Sequence, residues 1–287
     1  MEDGSEKLFS GIPLYHVNAF TKEPFGGNPA VVCIVDIDGD DQYYQAISTE
    51  MNPISETAFL AHLKDNEYKL RWFTPQVEMR LCGHATLATA HVLFNDLKVD
   101  YNSVAFHTLS GVLKATRTGR RVLVNFPRDN PTPIEAPNKL LEALGVEAPK
   151  DVVYGGDNRY LVVVVDGEEA VRGLEPDIDA MGRIDLPFEV YGVAVTSTGS
   201  GAHDIVSRFF APWLGIPEDP VTGSLHTVLT PYWCERLGKD ELLALQASKR
   251  GGEMILSMDD ERVYIIGESV TLVEGNLLDH EFFHRAR

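Results

Sequence analysis

Short apolar runs closed off by turn residues, some of them alternating with polar positions, mark most of this chain as β-structure. Pro29 to Val35, Tyr68 to Phe73, Val104 to Phe106, Arg121 to Phe126 and Tyr160 to Val165 read as strands. Longer stretches of helical character predict helices over Tyr43 to Met51, Ala85 to Leu97, Asn138 to Leu144 and Ser224 to Leu237. The pattern then repeats. Arg71-Trp72-Phe73-Thr74-Pro75 is echoed by Arg208-Phe209-Phe210-Ala211-Pro212, roughly 140 positions later. At nearly the same offset Gly83 is matched by Gly223, each opening a small-residue, helix-like stretch that carries a histidine. Ser110-Gly111-Val112-Leu113 is matched by Arg250 to Leu256, and a β-rich run follows each.

The repeat predicts two related α+β halves, each β-rich around one main helix, facing each other across a cleft. Clefts between domains are favoured small-molecule sites. The boundary is expected near Pro127-Arg128-Asp129-Asn130-Pro131-Thr132-Pro133, a proline-rich stretch suited to a linker. That gives domains over residues 8–127 and 128–287, with the last strand or helix free to return to the first domain.

At 287 residues and 44% hydrophobic, the chain is long enough for one large core or two smaller ones. A net charge of -18 argues against nucleic acid and anionic membranes as partners, because phosphate contacts need a basic face. It leaves room for a small anionic substrate, since a pocket's local field can oppose the global one. No apolar run approaches the length of a membrane span. Three widely spaced cysteines, Cys33, Cys82 and Cys234, argue against a disulfide framework and fit a reducing compartment. With no targeting pattern at the N-terminus, a cytoplasmic protein is expected.

Three segments carry candidate chemistry. In Asn52-Pro53-Ile54-Ser55-Glu56-Thr57 a carboxylate stands among small and apolar residues, and partial desolvation there would raise its pKa towards that of a proton shuttle. Alone, the segment reads more readily as a solvated carboxylate at a strand entrance or helix terminus. Cys82-Gly83-His84-Ala85-Thr86 follows a strand and opens an apolar helix, so its free N–H groups and dipole would receive a carboxylate or enolate. The same dipole would disfavour the protonated form of His84. Glu218-Asp219-Pro220-Val221-Thr222-Gly223-Ser224 stands at the equivalent place in the second half, where Asp219 also suits an ordinary helix cap or turn. Taken together, two anion-receptive helix starts and three acid/base side chains describe a proton-transfer site for a carboxylate-bearing substrate. A phosphate loop, a Gly-x-Ser-x-Gly elbow and a Rossmann fingerprint are all missing, and His84 and His91 lack zinc-ligand spacing. No cofactor and no metal are expected.

These residues, together with Phe25-Gly26-Gly27-Asn28-Pro29-Ala30-Val31-Val32 and Arg71-Trp72-Phe73-Thr74-Pro75, occur in the order seen in PhzF-like proteins of phenazine biosynthesis. The chain resembles that family from about Tyr15 to Gly275. The resemblance implies the diaminopimelate-epimerase-like fold, two pseudo-symmetric domains that each wrap a β-barrel-like sheet around a central helix. It also implies a cofactor-independent, commonly homodimeric isomerase. By motif match the proton-moving glutamate is Glu56, with His84 and Asp219 supporting it and Ser224 as the serine. The backbone at Gly83 and Gly223 would hold the substrate carboxylate. The wider superfamily includes epimerases with a pair of cysteines; Cys82 stands where the first would be but reads more readily as a small buried packing residue, and Pro220 occupies the place of the second.

The leading expectation is an isomerase that moves a proton on a small carboxylated metabolite. Amino-acid racemisation or epimerisation is the near alternative, and a non-catalytic metabolite-binding protein is the distant one.

Overall fold

The computed structural model describes residues 11–36, 39–51 and 56–278. The N-terminal strands are β1 (Ile12–Ala19), β2 (Asn28–Ile34), β3 (Glu56–Lys64), β4 (Glu67–Phe73), β5 (Glu78–Met79), β6 (Ser103–Thr108), β7 (Gly111–Thr118) and β8 (Arg121–Pro127). They are followed by β9 (Thr132–Pro133), β10 (Asp151–Gly155), β11 (Tyr160–Val164), β12 (Gly192–Thr198), β13 (Ile205–Ala211) and β14 (Ile216–Asp219). The last four are β15 (Glu241–Gln246), β16 (Gly252–Met258), β17 (Arg262–Gly267) and β18 (Ser269–Leu277). The helices are α1 (Asp41–Glu50), α2 (Gly83–His91), α3 (Asn138–Leu144), α4 (Glu168–Arg172), α5 (Ile178–Gly182) and α6 (His226–Leu237).

The pairing order turns the sequence repeat into a structural one. Hydrogen bonding runs β18–β1–β2–β3–β4–β6–β7–β8, with β5 on β4. It crosses through the antiparallel β8–β17 pair and continues β16–β15–β13–β12–β11–β10–β9, with β14 on β13. Each run holds a parallel pair around its first crossover, β2–β3 and β11–β12, and a second one, β4–β6 and β13–β15. The path ends at β18 and β9, so among the described residues the mixed α+β sheet is not closed, while each half is barrel-like around a central helix as expected. The proline-rich stretch after β8 also differs from a free linker. Thr132 and Pro133 pair with β10, and buried Asp129 accepts hydrogen bonds of 2.9 Å from both Asn158 N and Asn158 Nδ2.

Each run curves around one apolar helix. All nine residues of α2 are buried, and so is α6 from His226 to Cys234. A helix apolar all round belongs in an interior rather than on a surface. Its hydroxyls are satisfied locally: Thr86 and Thr89 donate to Cys82 O and Ala85 O, and Thr230 donates to His226 O. The predicted helix over Ala85 to Leu97 divides into α2 and a π-helical turn, Val92–Asp96. The predicted start at Ser224 moves to His226, because Gly223 to Leu225 form a turn leading into α6. Outer layers complete the core. Tyr44 and Ile47 of α1 cover Cys33, Phe59 and Phe73, while Leu140 of α3 and Val171 of α4 cover Val163, Val195 and Phe210.

The two arginines of the repeated motif make the same clamp. Arg71 grips Glu78 through Nε and Nη2 at 2.7 and 2.8 Å and lies 5.0 Å from the Phe73 ring centre. Arg208 grips Glu218 at 2.7 and 3.0 Å and lies 5.1 Å from Phe210. Paired, charge-assisted hydrogen bonds of this kind are stronger than neutral ones. Replacing either arginine by Met is expected to lower unfolding stability by ~1–3 kcal/mol, and the double variant to add the two losses. Urea unfolding measures this, and a loss within error for both variants would contradict it.

Candidate active site

Strand starts and helix starts converge on one place. β2 and β3 are parallel, so Asn28 and Glu56, the first residues of each, come to the same end of the sheet. Asn28 is set by a tight turn in which Gly27 has φ +63°, and a Cβ there would come 2.1 Å from Ala19 O. Arg250 fastens that turn by donating to Gly27 O and Gly26 O at 2.7 and 2.9 Å. Cys82 and His84 stand on the first turn of α2, and Asp219 ends β14 just before the turn into α6. Of the motif around Glu56, residues Asn52 to Ser55 lie outside the described residues.

The two helix starts meet at their glycines. A Cβ on Gly83 would come 2.9 Å from Gly223 Cα, and one on Gly223 would come 3.1 Å from Gly83 Cα. Neither α2 nor α6 has a side-chain cap; the first N–H groups of α6 bond instead to carbonyls of the turn before it, His226 N to Gly223 O, Thr227 N to Ser224 O and Val228 N to Leu225 O. The segment from Asp219 to Ser224, where Pro220 holds the place expected for a second thiol, contains no cysteine.

Around this junction Glu56, His84, Asp219 and Ser224 are all buried. His84 Nε2 lies 3.0 Å from Glu56 Oε2, off the axis of an aligned hydrogen bond. Asn28 Nδ2 lies 3.2 Å from His84 Nδ1 and donates to Asp219 Oδ1 and Val221 O, each at 2.8 Å. Thr222 donates its hydroxyl to Asp219 Oδ2 in a short contact. Gln246 supports both, reaching Thr222 Oγ1 at 3.1 Å and Asp219 O at 2.9 Å. Ser224 Oγ shares a 2.9 Å hydrogen bond with Tyr160 Oη. The result is one buried polar chain from Gln246 through Thr222, Asp219, Asn28 and His84 to Glu56, crossing between the halves. The larger open groove, lined by Lys22, Phe25, Arg121 and Arg250 among others, contains none of these groups.

Electrostatics distinguish the two histidines. Burial opposes the charged form of His84, but the neighbouring Cys82 and Glu56 outweigh it and raise its pKa well above the usual 6.5. The helix dipole, expected from the sequence to disfavour that charge, is overridden by groups in direct contact. His226 behaves oppositely: burial holds it down at about 4, and its Nδ1 is 2.8 Å from Thr222 O, which locks the turn. Burial raises the pKa of Asp219, opposed by His84, strengthened by Glu56, and opposed again by the hydrogen bonds from Thr222 and Asn28.

The His84 shift has a measurable consequence. Below about pH 6.5 both folded and unfolded chains hold the proton, and its stabilisation is fully present. As pH rises, the unfolded chain loses it first, so stability falls until the folded pKa is passed. Replacing His84 by Gln is expected to remove that decline in urea unfolding. An unchanged slope would show that other groups cause it.

Glu56, Cys82 and His84 place donor atoms within 4.8 Å of one another, as a metal site requires. Their arrangement is less suitable than the count. Glu56 faces Nε2 of the ring, while Cys82 Sγ lies 3.7 Å from Nδ1. A single cation takes one ring nitrogen, so the imidazole separates these donors rather than converging with them.

The structure thus brings together Glu56, Gly83, His84, Asp219, Gly223 and Ser224. Asn28, Thr222, Gln246 and Tyr160 were missed in the sequence. Asn28 had a signal, an amide held between a glycine turn and a proline at a strand start; Gln246, on a strand distant in sequence, had none.

The sequence matches the family model described as phenazine biosynthesis-like protein over residues 17–275. An uncharacterized isomerase from Halalkalibacterium halodurans is 42% identical over 273 residues, covering 93% of this chain and 98% of its own. The crystal structure of a phenazine biosynthesis protein of the PhzF family from Enterococcus faecalis superposes with a TM-score of 0.86 at 39% identity, covering 94% of this chain and 100% of that one. A probable proline racemase from Agrobacterium radiobacter shares the fold at 14% identity, with a TM-score of 0.63 and coverage of 94% of each chain. The chain belongs to the phenazine biosynthesis-like, or PhzF, protein family, within the diaminopimelate-epimerase-like superfamily.

Proposed function

We propose that this protein is a cofactor-independent isomerase that moves a proton between carbons of a small carboxylate-bearing metabolite, with Glu56 as the acid/base. The observation that carries this reading is the buried Glu56–His84 pair beside two helix starts without side-chain caps that abut at Gly83 and Gly223. The substrate carboxylate binds backbone N–H groups at Gly83 and Gly223, with Ser224 beside it. Glu56 removes the acidic C–H proton and returns it to another carbon. Charge that develops on the substrate as an enolate or dienolate is stabilised by the fixed helix dipoles and by His84, in a site shielded from water. Asp219 has both carboxylate oxygens engaged by Asn28 and Thr222, which suits an orienting role better than a proton-carrying one.

Supplying carboxylated metabolites to the protein in heavy water tests this. Enzyme-dependent deuterium uptake with movement of a double bond is the expected result. Deuterium at the Cα of an amino acid, with loss of optical purity, would instead support the racemase or epimerase reading. A two-thiol version of that chemistry lacks its second cysteine, since Pro220 stands at the place expected for it. Binding without any exchange, unaffected by loss of Glu56, would mean a metabolite-binding protein.

A further inference from the structure

The amide of Asn28 can be oriented without ambiguity. Its Nδ2 lies 2.8 Å from both Asp219 Oδ1 and Val221 O. A carboxylate and a carbonyl only accept hydrogen bonds, so the atom between them is the –NH2 and not the oxygen. The opposite orientation would set the amide oxygen against both. That –NH2 is also 3.2 Å from His84 Nδ1. An amide nitrogen accepts nothing, so a proton on Nδ1 would point at a donor, whereas a bare Nδ1 is a third acceptor for its two hydrogens. On the other side of the ring, Nε2 faces Glu56 Oε2 at 3.0 Å, where a proton is welcome.

We propose that Asn28 is a positioning residue that decides which nitrogen of the neutral His84 ring carries the proton, keeping Nδ1 bare and Nε2–H turned towards Glu56. The groups facing the ring come from four elements: Glu56 from β3, Cys82 from the cap of α2, Asn28 from β2 and Asp219 from the end of β14. Glu56 and Cys82 favour a second proton on the ring, and the Asn28 –NH2 opposes it at Nδ1. A fixed tautomer matters because the orienting partner of a catalytic imidazole determines whether it can donate towards the reacting centre. Asn28 also binds Asp219 and Val221, so one side chain sets the ring in the first half and the carboxylate in the second. The mechanistic meaning rests on the isomerase reading; the tautomer itself can be measured with no substrate present.

The test is long-range proton–nitrogen NMR on the full 15N-labelled chain, titrated from about pH 6 upwards until the His84 ring loses its second proton, with His84 assigned by loss of its signals in His84→Gln. In the wild type, Nδ1 of the neutral ring is expected to show the shift of an unprotonated nitrogen and Nε2 that of a protonated one. Asn28→Asp places an acceptor at Nδ1 and is expected to move a proton there; Asn28→Leu is expected to give a mixture of tautomers. In heavy water, Asn28→Leu is expected to slow deuterium uptake by about tenfold or more. A neutral wild-type ring that carries its one proton on Nδ1 overturns the proposal, as does an unchanged nitrogen pattern in both variants. If the variants fail to fold, the wild-type spectrum alone decides. Absence of deuterium uptake by the wild type would count against the isomerase reading and leave the nitrogen result standing.

Discussion

Replacing Glu56 by Gln is expected to slow proton exchange on the substrate by roughly 10²–10⁴-fold while leaving ligand binding within a few fold. Gln keeps the volume of the side chain and its place at the start of β3, where Glu56 pairs with Ala30. It removes the ability to take a proton. Because the residue is buried, water is poorly placed to act instead. Glu56→Asp is expected to fall between the two: the carboxylate remains, but one methylene shorter it withdraws from both substrate and His84. Kinetics with Gln above Asp would contradict the assignment. The same Gln substitution removes the charge that His84 faces, so the decline of stability with pH should also weaken, giving a second readout that needs no substrate.

Replacing Gly83 by Ala is expected to be nearly as damaging, for a steric reason. The added Cβ would sit 2.9 Å from Gly223 Cα, with Gly223 C and Ser224 N at 3.2 Å. These are backbone atoms, which cannot swing aside as a flexible side chain can. The two helix starts must separate, moving the N–H groups assigned to the substrate carboxylate and stretching the Asn28–Asp219 link. Overpacking of this kind costs about 1–3 kcal/mol of stability. Carboxylate binding should weaken more than tenfold, because the proposed anion site draws on both halves. Urea unfolding and ligand titration measure the two effects; wild-type values in both would show that the glycine contact is not needed.

Much of this was readable in the chain. The repeat survives as matched strand order and as matching Arg71–Glu78 and Arg208–Glu218 clamps, because the same residues solve the same local problem twice. The glycines were legible for a similar reason: only Gly permits the approach of α2 to the turn before α6. What escaped was set by tertiary contact. The pairing of β8 with β17 joins segments far apart in sequence, which no local pattern encodes. Proline content suggested a linker at residues 127–133; there Pro127 ends β8 and Pro133 lies in the two-residue edge strand β9, a position where a missing N–H costs little. The charge preference of His84 was misjudged because the dipole of α2 is visible in the sequence while the approach of Glu56 is not. Asn28 was passed over for the same reason, its three partners lying on other elements.

The central claim is that Glu56 carries the proton. The most direct test compares wild type and Glu56→Gln in heavy water with one metabolite that both bind, following deuterium in substrate and product by mass spectrometry. The account predicts label entering only with the wild type, at equal occupancy of the two proteins. Equal rates of label entry would contradict it, and would move the search for the base to Asp219 or Cys82.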